Sequence, residues 1–352
     1  MNFASDNTAG VSAPVMAALQ EANKGFASAY GTDELTAAAG RRLAELFECD
    51  AQVFLVATGT AANALSLAAI AQPWTAILCS HNAHVLTDEC GAVEMYSGGA
   101  RLVGQDGNRA KPDVAALADS LAAWPGGRPH VMQPAGVSIS QATEWGAVWS
   151  PDEVGAVGEV ARRHGLKLHM DGARFANAVA ALNCAPAEIT WRAGVDILSF
   201  GATKNGAMGA EAIVVFDPAL AETLAKRRMR AGQLLSKSRF PAAQLLAYLE
   251  NGHWLELAAH ANEMAGRLAR GLETRDLARL AVPAQANEVF AWVPEPAVKR
   301  LREAGAKFYE WPGRVTGADI AGREGERLVR LVTSFATRAE EVDRFTEIAA
   351  GA

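Results

Sequence analysis

Lys204 lies in Ser199-Phe200-Gly201-Ala202-Thr203-Lys204-Asn205-Gly206, a glycine-bounded loop that follows an apolar run. An ammonium brought into such a setting serves an anion or covalent chemistry, because a lysine near cationic or apolar groups can lose its proton and attack a carbonyl. Read alone, it is equally compatible with a solvated surface lysine. Asp171 stands in His169-Met170-Asp171-Gly172-Ala173-Arg174, where an apolar run ends in a carboxylate. Ligands of open α/β sheets sit beyond the carboxyl ends of strands. A carboxylate there can hold a protonated ring nitrogen, although capping a helix is the plainer role for an aspartate. The pair says more than either residue, since it puts an amine for an aldehyde and an acid for a ring nitrogen at one sheet edge.

Those two groups suit pyridoxal 5'-phosphate, whose ring is an effective electron sink while its nitrogen stays charged. Thr58-Gly59-Thr60-Ala61-Ala62-Asn63 joins a strand to a helix. Gly59 permits a tight turn, and amides at a helix start make an anion site to which Thr60 adds a hydroxyl. An ordinary βα turn is the bland reading, and the lysine and glycine spacings of nucleotide-binding loops are missing. His84, in His81-Asn82-Ala83-His84-Val85-Leu86-Thr87-Asp88-Glu89, can stack on a ring and carry protons at neutral pH. Glu89 follows five residues later and need not share its face. A metal set of His81, His84, Asp88 and Glu89 is not expected, because nothing completes it. In Arg327-Leu328-Val329-Arg330-Leu331-Val332-Thr333 the two arginines face opposite sides of a strand. An inward Arg330 can grip a carboxylate with its planar fork; a surface ion pair is the alternative.

These groups need a scaffold. Short apolar runs at 53–56, 76–79, 166–170, 195–200 and 212–216 alternate with helical stretches such as 60–71 and 152–163. This pattern predicts an α/β fold with a mainly parallel sheet between helices. We divide the chain into an N-terminal arm, 1–30, a large domain, 31–245, and a smaller C-terminal α/β domain, 246–352. The formal charge is −6, from 33 basic and 39 acidic residues, which gives no general footprint for nucleic acid. The uncharged stretch 51–87 is broken by polar residues and Pro73, so no membrane span is expected. Four widely spaced cysteines and no export signal predict a reduced, cytoplasmic protein.

Taken in order, Phe3-Ala4-Ser5-Asp6-Asn7, Ala29-Tyr30-Gly31-Thr32-Asp33, Thr58 to Asn63, His84 to Glu89, His169 to Arg174, Thr203-Lys204-Asn205-Gly206 and Arg330-Leu331-Val332-Thr333 resemble the threonine aldolase family of pyridoxal-phosphate enzymes, along nearly the whole chain. The resemblance implies fold type I, the aspartate-aminotransferase-like fold, with a mostly parallel seven-stranded sheet. It implies cleavage of L-threonine, L-allo-threonine or L-phenylserine-like substrates to glycine and an aldehyde. Lys204 matches the Schiff-base lysine, Asp171 the partner of the pyridine nitrogen, and Arg174 a residue near the phenolic oxygen. Gly59 and Thr60 match the phosphate cradle, His84 the stacking histidine, and Ser5 and Arg330 the holders of the substrate carboxylate. Family members are usually homotetramers, dimers of dimers with active sites at the interfaces, and Tyr30 to Asp33 resembles a segment near such an interface.

The chain departs from the family pattern twice. Many members have Asn-Thr-His-Asn after the central strand, whereas Gln141-Ala142-Thr143-Glu144-Trp145 stands here, with Glu144 near the histidine position. His84 is the first expectation for moving the hydroxyl proton and Glu144 the second. Gln233 to Phe240 stands where many relatives carry both a glycine-rich stretch and an arginine, so Lys237 or Arg239 is the expected phosphate contact. The branch resembled is that of low-specificity threonine aldolases and phenylserine aldolases. Transamination and β-elimination on the same scaffold are the competing chemistries, and a noncatalytic binding module the competing class.

Overall fold

The computed structural model describes residues 1–311 and 321–351, so part of the 246–352 assignment lies outside the described residues. The main sheet consists of β1 (Gln52–Val56), β2 (Thr75–Ser80), β3 (Arg101–Gln105), β4 (Gln133–Ser140), β5 (Lys167–Gly172), β6 (Ile197–Gly201) and β7 (Glu211–Val215), in spatial order β1-β7-β6-β5-β4-β2-β3. The neighbours from β6 to β3 pair in parallel, while β7 runs antiparallel to both β6 and β1. Strands β2, β6 and β7 are buried along their length, as expected where both faces are covered. The five expected strands are all present, with shifted ends. β3 and β4 have no counterpart among them, because RLVGQ and QPAGVSIS mix polar, proline and glycine residues into the run.

The helix Gly59–Ile70 is buried on all sides from Ala61 to Ala68, which explains why its sequence carries small and aliphatic residues instead of a polar stripe. Thr58 caps it by accepting from the Ala61 amide. Elsewhere in the main-domain core, Phe47, Phe175, Phe200, Tyr248 and Trp254 form an aromatic cluster with centroids 5.8 to 6.5 Å apart.

The second sheet holds β8 (Arg279–Leu280), β9 (Glu288–Pro294), β10 (Tyr309–Glu310) and β11 (Glu326–Val332), all antiparallel, in order β8-β9-β11-β10. The helices Glu295–Glu303 and Ala339–Ala350 and the later part of His253–Thr274 cover it. The chain start belongs to this layer. The Phe3 amide donates to the Lys307 carbonyl at 2.8 Å, Val332 donates to the Phe3 carbonyl at 2.9 Å, and the Phe3 ring meets Phe345 edge-on at 5.1 Å. This tether brings Asp6 against the main domain.

Among the described residues, no helix is long and apolar enough to cross a membrane. Nor does any group of three or more His, Cys, Asp or Glu there have the arrangement to hold a metal ion.

Candidate active site

Strand direction assembles the site. β4 ends at Ser140, β5 carries Asp171 beside it, and β6 leads into the turn Thr203–Asn205 that bears Lys204. Because β7 is reversed, its first residue, Glu211, pairs with Gly201 and Val56 and so starts at the edge where the parallel strands finish. A cavity of about 420 Å³ opens there. Its lining includes Thr60, His84, Glu144, Asp171, Lys204 and Glu211.

Asp171 is buried, and both its oxygens are held. Oδ2 accepts from Asn63 Nδ2 at 2.8 Å and Oδ1 from the Ala173 amide at 2.9 Å. The helix that follows starts at Phe175 with Arg174 as its cap residue, so Asp171 is not its N-cap. Asn63 Nδ2 also donates to Glu89 Oε1 at 2.9 Å, and the same oxygen lies 2.8 Å from His84 Nδ1. Glu89 therefore does meet His84, contrary to the separate faces that continuous helical spacing suggests. The helix His84–Thr87 ends before Glu89, and the chain turns back. The hydrogen bond to Glu89 is the largest influence on His84 and, against burial, raises its pKa above the ordinary histidine value. Burial raises that of Glu89 as well.

Glu144 Oε1 accepts from Ser140 Oγ at 2.6 Å and from the His84 amide at 2.9 Å. Burial pushes its carboxyl up to about 7. The same cause brings Glu211 to about 7, although the Ala202 and Thr203 amides point at it. Glu211 was not singled out from the sequence. The available signal was a carboxylate opening an otherwise apolar strand, and Glu288 gives the same signal at the start of β9.

Arg174 lines the cavity, with its fork closed on Asp6: Nε to Oδ2 at 2.8 Å and Nη2 to Oδ1 at 3.1 Å. Glu288 lies 3.4 Å from its third nitrogen. Burial favours the neutral form of Asp6, but Arg174 and then Lys204 override it and hold the carboxyl below its usual range. The stability this pair contributes is therefore fully present above the ordinary carboxylate range and is lost as pH falls through the lowered value. Removing one partner strands a buried charge. Asp6→Ala should cost roughly 3 kcal/mol or more, read as a lower denaturation midpoint in urea. An unchanged midpoint would show that water replaces the carboxylate.

Arg330 is half-buried, faces Trp311 at 4.6 Å and Tyr309 at 5.9 Å, and leaves Nε without a partner among the described residues. Arg327, on the other face, pairs with Glu295 at the surface. Ser5 lies next to Asp6 and caps the turn Asp6–Thr8, while the neighbouring Asn7 lines the cavity. Lys237 is exposed and is not among the lining residues of its own chain's cavity. Gln233 from the same segment accepts from the Ala57 amide at 3.2 Å, bracing the turn before Gly59.

The residues present fit pyridoxal phosphate. The amides of Gly59 and Thr60 have no acceptor among the described residues, and a Cβ on Gly59 would meet open space. That leaves an anion cradle at a helix start. Asp171 is a buried carboxyl group fixed in place for a ring nitrogen. Lys204 has no hydrogen bond or salt bridge among the described residues, so its amine is open to a carbonyl.

A sequence-family model described as beta-eliminating lyase matches residues 2–296. The chain is 44% identical over 317 residues to the low specificity L-threonine aldolase of Pseudomonas sp. (strain NCIMB 10558), covering 88% of this chain and 89% of that one. It is 45% identical over 311 residues to the protein of the same description from Pseudomonas aeruginosa, with the same coverage. The solved threonine aldolase of Leishmania major superposes with a TM-score of 0.90 at 28% identity, over 99% of this chain and 98% of that one.

Proposed function

This chain belongs to the low-specificity L-threonine aldolase family, within the pyridoxal-phosphate enzymes of fold type I, and from that membership we propose that it cleaves L-threonine, L-allo-threonine and L-phenylserine-like β-hydroxy-α-amino acids to glycine and an aldehyde by retro-aldol chemistry. The observation that carries the reading is the convergence of an open Lys204 amine, a doubly held Asp171 and the open start of the Gly59–Ile70 helix on one cavity.

When bound there, pyridoxal phosphate supplies a carbonyl for an amine and a ring that accepts an electron pair released at Cα. Asp171 keeps the ring nitrogen protonated, while Gly59, Thr60 and the helix start hold the phosphate. His84, with Nδ1 fixed by Glu89, presents its ring for stacking. Arg174 orients the phenolic side, and Arg330 with Ser5 takes the substrate carboxylate, the Trp311 face holding the guanidinium in position. Lys204 Nζ moves the proton at Cα.

Purified protein loaded with pyridoxal phosphate should release glycine and aldehyde in equal amounts from L-threonine, L-allo-threonine or L-phenylserine. Ammonia with a ketoacid, and no aldehyde, would replace this reading with β-elimination.

We assign the working unit as a homotetramer. Phe26, Tyr30 and Met229 are exposed, and the Tyr30 amide donates to the Ser236 carbonyl beside Lys237, which supports placing Lys237 at the phosphate of a neighbouring copy. Light scattering should give four times the chain mass, and Lys237→Ala should weaken cofactor binding without changing that mass. Unaltered cofactor affinity would remove Lys237 from the site. The domain limits at 30 and 245 remain our division of the chain. The four free cysteines support a cytoplasmic setting, which fractionation of the producing cells tests.

A further inference from the structure

We propose that Glu144, and not His84, is the general base that takes the β-hydroxyl proton in the retro-aldol step, an inference that rests on the aldolase reading above. Two features of Glu144 support it. Its Oε1 is fixed by Ser140 and the His84 amide, which sets the orientation of the carboxyl group. Its Oε2 is buried and has no hydrogen-bond donor among the described residues, and the side chain lines the same cavity as Asp171 and Lys204. A buried carboxylate oxygen without a donor is costly unless a ligand supplies one. A substrate hydroxyl is such a donor.

His84 is placed differently. Its Nδ1 lies on Glu89 Oε1, and Glu89 is buried with its own Oε2 lacking a donor among the described residues. This pairing favours the protonated ring, the form with no lone pair to accept a proton, and so disfavours His84 as the base. The groups that act on Glu144 point the same way. Burial and then Asp171 favour its neutral form, while Ser140 and the His84 amide stabilise its charge. Cys79 nearby is itself pushed up to about 12, by burial first and then by Glu144, so it stays a neutral thiol. Glu144 is thus a carboxylate whose basicity matches neutral pH.

The step balances. The hydroxyl O–H bond breaks and its proton passes to Glu144 Oε2. The Cβ–O bond becomes a carbonyl, the Cα–Cβ bond breaks, and its electron pair stays with the amino-acid fragment. The aldehyde leaves, and Glu144 returns the proton to solvent before the next turnover.

The test is Glu144→Gln in the holoenzyme. The amide preserves shape and an oxygen for Ser140 and His84, but cannot take a proton. Cleavage of L-threonine should fall by roughly 10²- to 10³-fold in kcat. Exchange of the glycine α proton with deuterated water involves no hydroxyl and should stay near wild type. The wild-type kcat/KM should decline as pH drops below about 7, the value to which burial brings this carboxyl in the free protein, and that acidic limb should vanish in the variant. Difference infrared spectra should show the variant lacking one carboxyl band that titrates near neutrality, with the Glu211 band remaining as internal control. His84→Phe, which keeps a flat ring, should lose rate but retain the acidic limb.

Cleavage and α-proton exchange falling together in Glu144→Gln would make Glu144 a structural support and overturn the proposal. So would full cleavage with the limb intact, or loss of the limb in His84→Phe. Absence of aldehyde from the wild type would instead sink the aldolase reading itself.

Discussion

Replacing Lys204 with alanine should lower cleavage of L-threonine by at least about 10³-fold and erase the visible absorption that the bound cofactor acquires from its bond to the lysine. The expectation is large because no other described residue lining the cavity in the same chain offers an amine. Among the described residues, Arg174 is the only other Lys or Arg lining it, and its fork is closed on Asp6. The loss should be chemical, because the turn carrying Lys204 is fixed by other groups. Asn205 Nδ2 donates to Tyr248 Oη and to the Trp254 carbonyl, each at 2.8 Å. Gly206, at φ 110°, takes a backbone form that side chains resist, and a Cβ there would press on Leu257 and Ser12. Lys204→Ala should therefore keep the wild-type melting temperature without cofactor. Lys204→Arg restores the charge but no attacking amine, and should be as inactive. Substantial cleavage by either variant, with glycine and aldehyde still in equal amounts, would remove Lys204 from the chemistry.

Lys204 and Asp171 could be read from the sequence because each ends an apolar run with a group that has no packing reason to be there. Residues 51–87 were legible as buried strand and helix for the complementary reason, the absence of charge. Other parts of the site depend on three-dimensional relations. Asp6 reaches Arg174 across 168 positions of chain, and the tether of Phe3 to Lys307, β11 and Phe345 brings it there. Glu211 sits at the catalytic edge because β7 is reversed, and an apolar run does not state its direction. Glu89 reaches His84 because a one-turn helix stops short of it, whereas continuous helical spacing would separate the two. Polar residues and glycine dilute the apolar pattern of β3, and glycine, proline and serine that of β4, although β4 ends at Ser140, the anchor of Glu144.

Asp171→Asn should lower kcat by about 10²- to 10³-fold, the scale of removing a preorganised charge from a reacting centre. The substitution is nearly isosteric, and an asparagine oxygen can still accept from the Ala173 amide or from Asn63 Nδ2, so the fold should survive. In the proposed role, what disappears is the negative charge that would hold a proton on the ring nitrogen, and with it the ring's capacity to accept the Cα electron pair. Because Lys204 is untouched, the variant should still bind the cofactor covalently and keep its visible band, which separates this loss from that of Lys204→Ala. A second effect has a definite sign. Asp171 contributes to raising both His84 and Glu144, so removing its charge should lower both pKa values. With Glu144 as base, the acidic limb of the residual activity should then move to lower pH, while the plateau above it stays depressed. A depressed plateau with the limb unmoved would show that Asp171 acts on the ring alone and carries no electrostatic coupling to Glu144. A plateau at the wild-type level would mean that the ring nitrogen needs no anion here, and the role of Asp171 would reduce to holding Asn63 and the turn at Ala173.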